Sequence, residues 1–262
     1  MNLKRGKIGN RGQVTIFIII AILVVALAVL AYFLIPNLRS NISVSQQSPT
    51  EFVDTCMREK VLETIETLSL QGGSIEVSET NSYFYKGDYV KYLCYSGEYW
   101  TACTNQEPFI REHFESEIEN EIQDDVNSCF DLLVASYENQ GYEVVLKNSQ
   151  TNADAEILPE RTIVNFENEI TITKGGSETY DSFYIRMDNN LYELLEIAKN
   201  IVVWEIDTGD SISEAYMTYD PYLKVEKRTK TDDTKIYILT DRRTDDFFQF
   251  AVRSYAMPPG YN

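Results

Sequence analysis

Val14–Ile35, VTIFIIIAILVVALAVLAYFLI, runs for twenty-two residues without a charged side chain. As a helix it extends about 30 Å, the thickness of a bilayer's hydrocarbon core. The charges around it give it a direction. Lys4, Arg5, Lys7 and Arg11 precede it, and no Asp or Glu occurs before Glu51. Basic residues on one flank hold that end in the cytoplasm, so the expectation is a single-pass anchor with the N-terminus inside and the remainder outside the cell. Residues 1–13 then form a basic cytoplasmic leader and residues 14–35 the transmembrane helix. Pro36 ends the helical pattern, because it has no N–H to give and disfavours helix in Ile35. Residues 36–50 are small, polar and without apolar period, as in a linker. Residues 51–262 form the ectodomain.

Five of the 23 basic residues lie at or before Arg39, and all 41 acidic ones follow it, so the chain beyond Ser40 carries a net charge of −23. Such a surface repels nucleic acid and anionic headgroups, which excludes nucleic acid as a partner. It suits a solvated exterior domain or one that gathers cations. Tyr, Phe, Ile, Leu and Val are plentiful enough for a core. Cys56, Cys94, Cys103 and Cys129 all fall on the outer side, and an even count in an oxidising compartment favours disulfides. Of three pairings, the one expected is Cys94–Cys103, closing a short hairpin-like loop, with Cys56–Cys129 joining the apolar stripes of two helices. Zinc is the competing reading; it lacks C-x-x-C spacing and has only His113 to draw on. Asn41-Ile42-Ser43, in the outward linker, is the only glycosylation sequon.

From Pro49 the apolar residues fall on a helical face, with Thr50 as N-cap and Gly72-Gly73 as the stop. Ser74–Val77 then starts a strand, and Tyr83–Trp100 reads as hairpins turning at Lys86-Gly87 and Ser96-Gly97. A second helix runs from about Pro108 to Ser136 on a stripe of Phe109, Phe114, Ile118, Ile122, Val126, Cys129, Phe130 and Leu133. After Gly141 the period becomes two. Strands are expected at 142–147, 153–158, 162–167, 170–174 and 179–187, and short links make them antiparallel neighbours. A third helix follows over 191–205, then strands at 222–228, 235–239 and 247–255. The fold class is α+β: a single N-terminal transmembrane helix, then about three helices packed on a mainly antiparallel sheet.

Arg11-Gly12-Gln13-Val14-Thr15-Ile16-Phe17 resembles the class III signal of archaeal type IV pilin-like proteins. The resemblance implies a peptidase cut after Gly12 and a mature chain starting at Gln13. Phe17 stands where the family has the Glu that neutralises a neighbouring subunit's N-terminus. Asp54–Glu59, Leu68–Gly73 and Ile170–Gly175 are similar to segments of a group of membrane-anchored archaeal surface proteins with no assigned activity. That likeness implies an α+β domain and a surface location.

Catalytic patterns are sparse. His113, the only histidine, sits among charged residues in a helix's first turns and reads as an ordinary surface histidine rather than part of a triad. Lys174-Gly175-Gly176-Ser177 lacks P-loop spacing and reads as a hairpin turn. Asp207, Asp210 and Glu214, in a loop after the third helix, are the best oxygen set for a cation. Tyr83, Tyr85, Tyr89, Tyr99 and Trp100 are candidates for an aromatic binding surface for proteins or glycans; the competing reading packs alternate ones inward. The expectation is a structural or interaction protein held in the membrane by residues 14–35, without a cofactor. A pilin-like filament subunit is one alternative, and a cell-surface hydrolase or cation-dependent enzyme another.

Overall fold

The structure, a computed structural model, describes residues 47–258 together with Leu23 and Gly260. The apolar stretch 14–35 apart from Leu23, the Gly12/Gln13 junction and Asn41 lie outside the described residues. Among the described residues no helix is long and apolar enough to cross a membrane. Residues 48–262 make one compact unit.

Helix α1 spans Pro49–Gln71. Its N-cap is Ser48, not Thr50: the Ser48 hydroxyl accepts from the Glu51 N–H at 3.2 Å, and Pro49 occupies the first turn, where no N–H is needed. Gly72 ends it with φ 79°, and a Cβ there would lie 3.1 Å from the Lys91 backbone. Val53, Met57, Val61 and Leu68 are buried, whereas Leu62 points outward. The segment 74–77 is not a strand. Its polar groups meet helix side chains instead: Ile75 N–H donates to Glu117 Oε2 at 2.9 Å.

After a 3₁₀ turn at Glu79–Asn81 come β1 (Ser82–Tyr85), β2 (Asp88–Tyr95) and β3 (Thr104–Asn105), and then helix α2 (Ile110–Asn139). The α2 stripe is as its spacing predicts from Phe114 to Leu133, but Phe109 is the exposed N-cap and Ile110 is the buried residue. Burying each large apolar side chain contributes about 1.5–3 kcal/mol, which is what ties α2 into the core.

Strands β4 (Glu143–Leu146), β7 (Ile170–Thr173) and β8 (Ser177–Tyr180) form one three-stranded sheet. Strands β5 (Asn152–Leu158), β6 (Arg161–Glu167) and β9 (Phe183–Asp188) form another. The alternation over 179–187 thus belongs to two strands. The chain leaves Ile170's partner Tyr180, passes Asp181-Ser182, and joins the other sheet where Phe183 faces Phe166. Helix α3 (Leu191–Thr208) and a short helix α4 (Ser213–Tyr219) precede β10 (Leu223–Thr229), β11 (Lys235–Asp241) and β12 (Phe247–Arg253). These last three join β1 and β2 in a six-stranded sheet of order β1-β2-β12-β11-β10, with β3 also on β2. Among the described residues every strand pair is antiparallel except β12–β2. The domain is therefore α+β with mainly antiparallel sheets, and the described residues hold four helices rather than three. One core joins α1, α2, α3 and all three sheets.

Both expected disulfides are present. Cys94–Cys103 bridges β2 to the loop before β3 with Cα atoms 5.3 Å apart, and Cys56–Cys129 ties α1 to α2 across 6.2 Å. Cys129 is buried, but Cys56 is exposed, so this bridge sits at the rim of the helix pair rather than inside the core.

Helix α2 also closes a sheet edge. Strand β5 lies at the end of its sheet, where unpaired N–H groups invite foreign strands. Glu115 accepts from Ile157 N–H at 2.7 Å, Glu119 from Ala155 N–H at 3.0 Å, and Asn127 from Thr151 N–H at 3.0 Å. Gln123 donates to Thr151 O at 2.6 Å. Four helical residues advance about 6 Å and two strand residues about 6.7 Å. Glu115 and Glu119, four apart on α2, therefore keep pace with Ile157 and Ala155, two apart on the strand edge, while Gln123 and Asn127 both close on Thr151 just before the strand.

Candidate functional site

Residues 209–212 link α3 to α4, with Asp207 in the last turn of α3 and Glu214 in the first turn of α4 rather than in the loop expected, and this link is pinned from below. Glu205, with no exposed surface, receives Lys235 Nζ at 2.7 Å and the Tyr237 hydroxyl. Lys235 also donates to Gly209 O. Burial pushes the Glu205 carboxyl above its usual range, against the pull of Lys235 and Tyr237. Burial, with Glu205 beside it, holds the Tyr237 hydroxyl protonated. Asp210 accepts from Lys227 at 2.7 Å and lies 3.6 Å from Lys235. Desolvation raises its pKa, but the Lys227 hydrogen bond and the charges of both lysines outweigh it, and the net shift is downward. Lys227 completes the clamp by donating to Ser211 O at 3.0 Å.

That geometry corrects the cation reading. Asp210 is turned to two lysines, and Asp207, Asp210 and Glu214 do not converge; among the described residues no group of three His, Cys, Asp or Glu is placed to hold a metal. Acidic density in the sequence does not report which carboxylates already have a cation of their own.

Above the clamp, α3 and α4 enclose a groove of about 260 Å³ lined by Asn200, Trp204, Ser211, Ile212, Ala215, Tyr216 and Tyr219. Trp204 lies four residues after Asn200 on one helical face. On α4, Ala215 and Tyr219 share a face by the same spacing, while Tyr216 and Met217 pack toward the core. Trp204 is 51 % exposed, Ile212 70 % and Tyr219 91 %. Three polar atoms in the groove are turned on each other: the Tyr216 hydroxyl donates to Asn200 Oδ1 at 2.7 Å, and Ser211 Oγ lies 3.4 Å from that hydroxyl. The result is an apolar trough with three projecting apolar walls. Helix α4 escapes sequence reading because seven residues carry too short a period to register, and such a helix nucleates only on tertiary support. The readable signal was the run of apolar and aromatic residues, Ile212, Tyr216, Met217 and Tyr219, in a segment otherwise read as loop.

The five candidate aromatics do not assemble into one platform. Tyr83 and Tyr85 pack with Tyr95 against a small cluster of Val90, Tyr92, Ile236 and Ala251, separate from the main core. Lys230 Nζ caps the Tyr85 ring at 4.1 Å. Tyr89 stands on the opposite face of the hairpin, 5.2 Å from Phe84. Tyr99 lies under the Arg253 guanidinium at 5.5 Å, and the Trp100 backbone N–H donates to Ala256 O at 2.9 Å. The two-residue alternation of the hairpin sends neighbours to opposite faces.

His113 is not an ordinary surface residue. Its Nε2 is 2.8 Å from Ser74 Oγ and 3.3 Å from Lys91 Nζ, while Lys91 also reaches Ser74 Oγ at 2.8 Å and Glu107 at 2.9 Å. A triad needs the carboxylate on the ring nitrogen remote from the serine. Here Glu107 and Glu117 both approach Nε2 at 3.7 Å, the serine's own side, and Ser74 is buried. The cluster joins α1's end, β2 and α2, and its arrangement suits packing rather than nucleophilic attack.

No family model, curated protein or solved structure matches this chain.

Proposed function

We propose that the protein is a single-pass, membrane-anchored interaction protein of the cell surface, with residues 14–35 as anchor and the disulfide-bonded α+β domain outside. The observation that carries the interaction reading is the α3–α4 groove. Trp204, Ile212 and Tyr219 are left in water around an apolar trough on an acidic domain, and large apolar groups grouped around a concavity mark recognition surfaces. The two disulfides support an oxidising compartment, and the basic flank before the apolar stretch supports the orientation.

Proteinase K applied to intact cells tests the location. Release of the acidic domain without permeabilisation is the expected result; digestion only after the membrane is opened refutes the orientation. Mass spectrometry of the N-terminus sorts anchor from filament subunit. A start at Met1 fits a signal anchor, and a start at Gln13 favours the pilin-like reading that Arg11-Gly12-Gln13 suggests.

A further inference from the structure

The α3–α4 groove has a chemistry that selects among occupants. Its lining is mostly apolar, and the Tyr216 hydroxyl is spent on Asn200 Oδ1 at 2.7 Å with Ser211 Oγ 3.4 Å from that hydroxyl. A sugar ring seated there would bring hydroxyls into a trough with few partners to offer, and each buried, unpaired hydroxyl is costly. An aliphatic or aromatic side chain meets no such cost. The volume, about 260 Å³, falls below that of a drug-sized ligand pocket, about 300–1,000 Å³, and suits one or two side chains.

The charges nearby set the second requirement. Asp207 lies three residues beyond Trp204 on α3, and Glu214 lies between Ile212 and Ala215 in sequence; both are exposed. Neither has an ion-pair partner among the described residues, whereas Lys199 is held by Glu196 and Lys227 by Asp210. The surroundings are acidic as well, since the chain beyond Ser40 carries −23. A second copy of this chain would bring the same carboxylates to the same contact, like against like.

We infer that the α3–α4 groove docks a cationic polypeptide segment of a partner protein, an apolar anchor side chain filling the trough and flanking Lys or Arg meeting Asp207 and Glu214. The inference rests on the interaction reading above and names the class of partner. The anchor gains by leaving water, and the flanking cations raise the encounter rate and discriminate against acidic sequences.

The chain's two tryptophans, Trp100 and Trp204, provide a test with an internal reference. The full chain in detergent micelles, labelled with 5-fluorotryptophan, has two fluorine resonances, assigned with Trp100→Phe. The probe is the blocked hexapeptide Lys-Lys-Leu-Lys-Phe-Lys; the comparison ligands are Glu-Glu-Leu-Glu-Phe-Glu and chitotriose. The expected result is a saturable shift of the Trp204 resonance alone, with the cationic peptide alone. Asp207→Asn and Glu214→Gln each weaken that binding roughly two- to fivefold, as exposed charge pairs do, and added salt weakens it further. Ala215→Arg, an exposed position lining the trough, abolishes the shift. If that variant proves unfolded, Tyr219→Ser serves in its place. A shift of Trp100 instead, equal binding of the acidic peptide, a response to chitotriose without one to the cationic peptide, or no response to any ligand overturns the inference. Failure here leaves the proteinase K result standing, and a domain found inside the cell leaves the groove's preference standing, so the two readings fall separately.

Discussion

Along α2, Glu115 and Glu119 turn polar side chains onto the edge of β5 and Asn127 onto the residue before it, whereas along α3 and α4, Trp204, Ile212 and Tyr219 turn apolar side chains toward water. In the first region, residues that look like a solvated helical face serve as acceptors for backbone. In the second, residues that look like core are left without one. Composition puts acids on the surface and aromatics inside; here each region departs from that in the direction its task requires. The α2 face protects the fold from unwanted strand pairing, and the α3–α4 face withholds apolar area from the fold.

If the α2 side is structural, its losses must show as instability. The largest loss comes from the bridge that holds α1 to α2. Replacing both Cys56 and Cys129 with Ala frees a loop of sequence separation 73 and costs roughly 4 kcal/mol in the chain-entropy account, read as a lower denaturation midpoint. The Cys94–Cys103 pair, separation 9, costs about 3 kcal/mol by the same reasoning.

Next in size is the edge itself. Glu115→Ala strands the Ile157 N–H and costs about 1–3 kcal/mol. Its amide then exchanges hydrogen faster, while Glu115→Gln, which keeps an acceptor, leaves exchange near that of the native protein. Equal exchange in native and Ala forms would mean that α2 does not cover the edge.

Smaller again is an acid dependence at the β11 end, where Asp241 accepts from Arg243 and, at 2.7 Å, from Asn190. The Arg243 hydrogen bond, against desolvation, holds the Asp241 carboxyl below the ordinary 3.8. A depressed folded value means that the native state binds the proton less readily than the unfolded chain. The stabilisation is thus present above 3.8 and lost as the pH falls below it through the folded value. Asp241→Asn removes about 1 kcal/mol at neutral pH and flattens the acid limb of the denaturation midpoint.

The smallest stability effect belongs to the groove. Ile212→Ser and Tyr219→Ser change stability by no more than about 0.5 kcal/mol, because these side chains are already in water. A drop of the size seen at Glu115 would show that the groove's walls belong to the core, and would erase the contrast between the two faces.

How much of this was legible follows from the range of each interaction. Helices α1, α2 and α3 are visible because their apolar stripes repeat over many turns. The strands after Gly141 show their two-residue alternation. The disulfide pairing follows from which stripe carries each cysteine, although nothing local said that Cys56 would be exposed. Strand 74–77 is absent because Ser74 and Ile75 find partners on α2, a helix almost forty residues away. The strand read over 179–187 is two, because alternation continues across a change of sheet.

The sequence by itself determined helices α1, α2 and α3, the charge asymmetry about Val14–Ile35, the α+β class and the cysteine partners, since all of these depend on periodicity or count within a stretch of chain. Only the tertiary structure decided which carboxylates are spent. Glu115 went to a strand edge, Asp210 to Lys227, and Asp207 and Glu214 to no ion-pair partner among the described residues. Only the tertiary structure, likewise, set α4 against α3 and left Trp204 beside Ile212 and Tyr219. The physical reason is the same in each case: a side chain's partner is chosen by what the fold brings within a few ångströms, and that neighbour lies beyond the reach of local sequence, as Ile157 does from Glu115 at a separation of 42.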